Sequence, residues 1–177
     1  VLTTYLTPLK EIVDQSSQHR KEASRLVAQT LLIKATLSLH REGPKRAISY
    51  GKQAEIYSKE SGSIPLQLVI LKRLAWMYAC DKQQKQALDT VLKSKNLMLK
   101  QQKKGIPVHS FIQSTIYGGV AKYQARNGQD EEALIAIHDA KQAFFTSTAG
   151  DDVAGTVDDF NYSTLLLEDG LTYYHLE

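Results

Sequence analysis

The sequence has few of the residues that build disulfide-rich or membrane-spanning proteins. Among its 177 residues there is one cysteine, Cys80, and there are four prolines. A single cysteine excludes an intramolecular disulfide framework and favours a reducing compartment. No apolar run approaches the roughly 20 residues needed to span a bilayer, and no secretory signal opens the chain. We therefore predict a soluble, cytoplasmic protein. Because it begins with Val1 rather than methionine, we expect either a processed chain or a fragment of a longer one.

The stretch from residue 66 to residue 88 has the pattern of two packed helices. In it, Leu71, Leu74, Ala75 and Tyr78 recur at intervals of three and four residues, which is the period of one helix face. Ala87 then supplies a small side chain to a second helix. Small side chains let antiparallel helices approach closely, because larger ones push the helix axes apart. The stretch therefore predicts a helical hairpin.

The same spacing recurs along the chain. Tyr117, Val120, Ala121 and Ala133 repeat it with a shift of 46 residues. An earlier copy and a final half-copy are carried by Leu31, Ala35 and Ala47 and by Leu166, Gly170 and Tyr173. One hairpin cannot bury its own apolar face and needs neighbours on both sides. The recurrence predicts a stack of helical pairs.

We predict an all-α chain of about eight helices, separated by proline, glycine and polar turns. Thr7 and Pro8 are expected to start the first helix, with a backward extension over Leu2, Tyr5 and Leu6 as the alternative, and Asp81 with Gln84 is expected to cap the fifth. The segment 146–159 is the only extended loop that we expect. Single helices are predicted over about 8–18, 20–41, 44–60 and 160–175. Two helical hairpins are predicted over about 64–103 and 108–145, with their turns near Asp81 and at Asn127-Gly128.

Three stretches carry a resemblance to a known family: LVILKRLAWMY, STIYGGVAKYQARNGQDEEALIAI and VDDFNYSTLLLEDGLTYYHL. Together they resemble the tetratricopeptide-repeat region that follows an N-terminal helix-turn-helix domain in bacterial transcriptional regulators of the XRE type. The resemblance implies a right-handed α-solenoid of antiparallel hairpins, with 1–177 as a single domain. It implies repeats of about 20–61, 64–104 and 107–146 and a half-repeat of 160–177.

The same resemblance implies a function without catalysis. It points to a protein- or peptide-binding scaffold, the sensing or regulatory region of a transcriptional regulator. No DNA-reading helix-turn-helix is present in the first 20 residues. A DNA-binding domain is therefore expected to precede this region in the parent chain.

Catalytic and metal-binding patterns are weak. The five histidines are scattered, no HExxH pattern is present, and no nucleophile motif surrounds Cys80. The expected loop contains four acidic residues that could bind calcium: Asp151, Asp152, Asp158 and Asp159. They lack the alternating ligand pattern of an EF-hand, so a solvated loop is favoured. We predict that the chain is not an enzyme and holds no metal or cofactor.

Charge is distributed unevenly. Residues 1–104 carry a net charge of +11 and residues 105–177 a net charge of −8. Such asymmetry attracts acidic partners to one end or promotes association between copies, so a homodimer is one alternative. A second is a nucleic-acid-binding helical solenoid that uses the basic half. A third is that these charges only keep the helices solvated.

The resemblance also places a binding surface, because the first helix of each tetratricopeptide pair lines the inner curve. Three cations and a tryptophan there would suit a peptide that bears carboxylates and an apolar anchor. The alternative is that Trp76 packs in the hydrophobic core between repeats and that the cations are solvated. The predicted partner-binding residues are Gln29, Thr36, Lys72, Trp76, Lys122, Arg126 and Tyr174.

Overall fold

The computed structural model describes residues 2–146 and 162–176. Over these ranges the chain is all-α, as predicted, with eight helices and no strand. The helices are α1 (Leu2–Gln15), α2 (Arg20–Arg41), α3 (Pro44–Ser61), α4 (Ile64–Cys80), α5 (Gln84–Lys103), α6 (Ser110–Ala125), α7 (Asp130–Phe145) and α8 (Tyr162–Tyr174). Beyond Thr146 the predicted loop, with the four aspartates of the calcium interpretation, lies outside the described residues.

The predicted separation of helices by proline, glycine and polar turn residues is confirmed at the α3–α4 turn. Gly62 ends α3 with a positive φ of 72°, in the left-handed region that favours glycine. Ser63 then caps α4, and its hydroxyl accepts a hydrogen bond from the amide of Leu66. Pro65 occupies the first turn of α4, where a proline leaves no backbone hydrogen bond unmade. Local chemistry alone therefore fixes this turn.

The cap that was predicted for the first helix at Thr7 is wrong, and the helix instead has its predicted backward extension over Leu2, Tyr5 and Leu6. α1 begins at Leu2, so Thr7 caps nothing and Pro8 lies inside the helix. A proline there removes one backbone hydrogen bond. Leu6 and Val13, two turns apart on either side of it, are both buried. Burial of this face on both sides of Pro8 offsets the lost bond.

The predicted cap of α5 is also wrong. Asp81 ends α4, where its amide donates to the carbonyl groups of Met77 and Tyr78. Lys82 turns the chain with a φ of 60°, and Gln83 stands at the N-cap of α5 without a side-chain capping bond. Because α4 extends to Cys80, Asp81 is the C-cap of α4 and does not cap α5.

The chain divides into two compact units, Val1–Lys82 and Gln83–Glu177. In the first, α1 packs on α2, α2 on α3, and α4 on both α3 and α2. Its core includes Ala35 and Ala47, both fully buried at predicted packing positions, and Ala54, which is also fully buried. The predicted limits of the repeats stay a prediction.

The second unit is built around α6, which packs on α5, α7 and α8. Ala121 and Ala133 are fully buried, as their places in the pattern predict. Gly118 and Gly119 lie at contacts between helices. A Cβ on Gly118 would be 3.6 Å from the Glu168 side chain, and one on Gly119 would be 3.3 Å from Val91 Cγ2. Gly119 therefore serves close packing against Val91, whereas a Cβ on Gly118 would make an ordinary contact with Glu168.

Candidate partner-binding surfaces

The first unit brings four of the predicted partner-binding residues onto two neighbouring helices. Gln29 and Thr36 lie two turns apart on α2, and Lys72 and Trp76 lie one turn apart on α4. α2 and α4 contact each other, and the ring of His40 on α2 lies 6.4 Å from the ring of Trp76. We call these five residues the α2–α4 face.

Trp76 is half-buried, so part of its ring remains available at the surface. The guanidinium carbon of Arg73 lies 5.7 Å from the centre of the ring, within the range of a cation–π contact. Lys72, one turn before it, is also half-buried. Trp76 therefore combines an accessible apolar ring with cationic neighbours.

The two polar residues Gln29 and Thr36 make hydrogen bonds within their own helix, α2. The Thr36 hydroxyl donates to the carbonyl oxygen of Leu32 at 3.1 Å, and the Gln29 side-chain oxygen lies 3.5 Å from Arg25 Nη1. Ile33 lies between Gln29 and Thr36 along the helix and is 52% exposed. The α2–α4 face thus has an apolar centre on α2 as well as on α4.

The second unit uses its predicted cations internally. Lys122 Nζ lies 2.8 Å from Glu168 Oε1 on α8, and the two side chains are only 13% and 8% exposed. Arg126 Nε donates to His175 Nε2, just after α8, at 2.9 Å. Tyr174 is 71% exposed. That these three residues bind a partner stays a prediction, and a carboxylate arriving at Lys122 would compete with Glu168.

Sequence reasoning missed Glu168 as the partner of Lys122. The two residues lie 46 positions apart, on α6 and α8, so no local pattern contains both of them. In the repeat alignment Leu166 and Gly170 correspond to Tyr117 and Ala121, a shift of 49 residues that does not relate Lys122 to Glu168. The ion pair was therefore not predictable from the repeat.

The predicted packing positions of the last helix are wrong. Leu166 and Tyr173 are exposed, whereas Leu165, Glu168 and Thr172 are buried. The carboxylate of Glu168 is held by Lys122, and that of Asp169 by Lys141 at 2.7 Å. α8 therefore directs its acidic residues inward to two ion pairs, and Leu166, Leu167 and Tyr173 remain exposed.

The contact of His175 with Arg126 predicts a dependence of stability on pH. Burial and the charge of Arg126 lower the pKa of His175 from its usual value. The unfolded chain then binds a proton more readily than the folded one, so stability falls as the pH drops through the unfolded pKa of about 6.5 towards the lower folded pKa. Urea unfolding of the parent and of His175→Gln between pH 5 and pH 8 measures this. We expect a shallower acid slope in the variant, and identical slopes would contradict the assignment.

An open cleft lies between α6 and α7 in the second unit. Its volume is about 290 Å³, and Gln113, Tyr117, Asp139, Gln142, Ala143 and Thr146 line it. Burial and the nearby charge of Asp139 raise the pKa of Tyr117, which keeps its hydroxyl protonated. The cleft is polar, and it leaves space beside Ala143.

Over the two described ranges, no group of three or more His, Cys, Asp or Glu side chains is arranged to hold a metal ion. No helix in this part of the chain has both the length and the apolar character for crossing a membrane. No protein-family model matches the chain, and no curated protein matches it.

Proposed function

We propose that this chain is a non-catalytic scaffold that binds a protein or peptide through the α2–α4 face. One observation carries the proposal: Trp76 is half-buried, with Arg73 over its ring, His40 beside it and Lys72 one turn away. Tryptophan and arginine are enriched among the residues that contribute most to protein interfaces. An accessible Trp ring among cationic side chains is therefore a suitable anchor site.

The chemistry of this face selects a class of partner. An apolar side chain of the partner would pack on Trp76 and Ile33, and a carboxylate would bind Lys72 or Arg73. Contacts to charged groups are the stronger hydrogen bonds, and arginine binds a carboxylate through two parallel N–H groups. The partner is thus an acidic segment with an apolar anchor.

The proposal includes a tetratricopeptide-like repeat architecture. In the first unit α4 packs on both helices of the preceding pair, α2 and α3, and in the second unit α8 packs on both α6 and α7. This contact order is what a stack of helical pairs requires within each unit. By resemblance, the scaffold would be the sensing region of a transcriptional regulator that carries its DNA-binding domain elsewhere.

Trp76 is the one tryptophan of the chain, so its fluorescence reports directly on this face. We expect a synthetic peptide of alternating Glu and Leu to shift the emission, and the same peptide with Lys in place of Glu to leave it unchanged. Lys72→Ala should weaken binding by up to about fivefold, since one charged contact contributes up to roughly 1 kcal/mol. The matched control is Lys93→Ala, an exposed lysine of α5 in the other unit.

Two results would contradict the α2–α4 face as the binding site. Equal shifts with the acidic and the basic peptide would exclude recognition of carboxylates. Equal losses in Lys72→Ala and Lys93→Ala would indicate diffuse charge attraction instead. Circular dichroism of both variants checks that the helices are retained.

The alternative function, nucleic-acid binding, is favoured by one group of side chains. Five lysines on α5 and directly after it are exposed: Lys85, Lys93, Lys100, Lys103 and Lys104. Phosphate binding weakens steeply as salt rises, because bound counterions are released. A salt titration with nonspecific duplex DNA separates the two functions, and no binding at low salt would remove the alternative.

A further inference from the structure

The outer face of α8 carries no charged residue. Its exposed residues are Ser163, Leu166, Leu167, Gly170, Tyr173 and Tyr174. Four of them are large apolar side chains with exposed fractions of 48% for Leu166, 61% for Leu167, 51% for Tyr173 and 71% for Tyr174. We call this surface the outer α8 face.

This arrangement reverses the usual amphipathic helix. The two acidic residues of α8, Glu168 and Asp169, are directed to Lys122 and Lys141 of the same unit, while its apolar side chains are exposed. A helix at the surface of a protein normally directs its polar residues to solvent. An apolar patch of this kind marks an interaction site.

We infer that a second copy of this chain covers the outer α8 face, in a twofold contact of two antiparallel α8 helices that cross at Gly170. Gly170 lies at the centre of the face, and a Cβ built on it would meet no atom within 4 Å. The glycine therefore lets a second helix approach closely. Antiparallel packing places Leu167 against Tyr173 of the second copy and Leu166 against its Tyr174.

Charge and area favour a second copy as the occupant. Lys141 Nζ lies 6.0 Å from the centre of the Tyr173 ring, but it is paired with Asp169 at 2.7 Å, so the face can meet an identical face without strong repulsion between like charges. A twofold contact pairs a face with a copy of itself. The leucines on one side of Gly170 then meet the tyrosines on the other side of Gly170 in the second copy. Four such side chains on each copy would bury on the order of 1,000 Å² in total, about the smallest area expected of a biological interface.

Cysteine cross-linking tests the crossing point. Gly170→Cys in a Cys80→Ser background should form a covalent dimer on mild oxidation, because two helices that cross at this residue bring the Cα atoms within about 7 Å. The matched control is Phe145→Cys in the same background, since Phe145 is 68% exposed on α7. Equal cross-linking of the two variants, or none at Gly170→Cys, would overturn the crossing.

Sedimentation equilibrium tests the pairing across the twofold axis. Leu167→Glu and Tyr173→Lys should each weaken dimerisation at least about tenfold, and an equimolar mixture of the two should regain it as a heterodimer. Ile135→Glu, at a 62% exposed position on α7, should leave dimerisation unchanged. A parent chain that stays monomeric, or a dimer that the α8 variants do not affect, would refute the inference.

Discussion

Replacing Lys122 by alanine is expected to lower the free energy of unfolding by about 3 kcal/mol. The variant leaves the carboxylate of Glu168, whose side chain is 8% exposed, without the ammonium group that lies 2.8 Å from it. Removing one partner of a buried ion pair is costly, because the other charge stays away from water uncompensated. Urea unfolding, followed by circular dichroism, measures the change.

Two comparisons identify the cause of that loss. Lys141→Ala removes a more exposed pair, with side chains 38% and 19% exposed, and should cost less than about 1 kcal/mol. The double variant Lys122→Met, Glu168→Leu removes both charges and should regain most of the stability. A Lys122→Ala protein as stable as Lys141→Ala would show that Glu168 is solvated after all.

The helices were predictable wherever the signal is local. α2 runs from Arg20 to Arg41 as predicted, because Gly43 and Pro44 interrupt the apolar period directly after it. The buried alanines were predictable for the same reason. Ala35 and Ala121 occupy equivalent places in a repeated spacing, and both are fully buried.

The orientation of α8 was not predictable from its own pattern. Its apolar residues favour burial of Leu166 and Tyr173, but ion pairs with Lys122 and Lys141 bring Glu168 and Asp169 inward. These partners are distant in sequence, so no window of α8 contains them. The same kind of non-local contact explains α1, where burial of Leu6 and Val13 retains the helix across Pro8.

The candidate site was predictable in part for a related reason. Helical periodicity placed Lys72 beside Trp76 and Lys122 beside Arg126, since one turn separates each pair. Periodicity cannot tell whether a cation faces solvent or another helix. Arg126 and Lys122 meet groups on and after α8, whereas Trp76 keeps part of its ring accessible. The second unit therefore uses its cations for cohesion, and the first is the better candidate for recognition.

Replacing Ala121 by leucine is expected to cost about 1–3 kcal/mol of stability. Ala121 is fully buried in α6, the helix that packs on α5, α7 and α8, so no neighbouring space can accept the added atoms. Leucine and alanine both favour helices, so the effect reflects packing rather than propensity. Ala75→Leu, at the equivalent buried place in α4, should behave alike. Thermal melts of both variants measure the loss.

The matched control for this substitution is Ala143→Leu on α7. Ala143 is half-buried and lines the open cleft between α6 and α7, so a leucine there can extend into a volume of about 290 Å³. The chemical change is the same, and only the available space differs. We expect Ala143→Leu to keep the parent melting temperature while Ala121→Leu lowers it by several degrees, given roughly 2–4 °C per kcal/mol at this chain length. Equal melting temperatures would mean that the repeated alanine positions do not set the spacing of the helices.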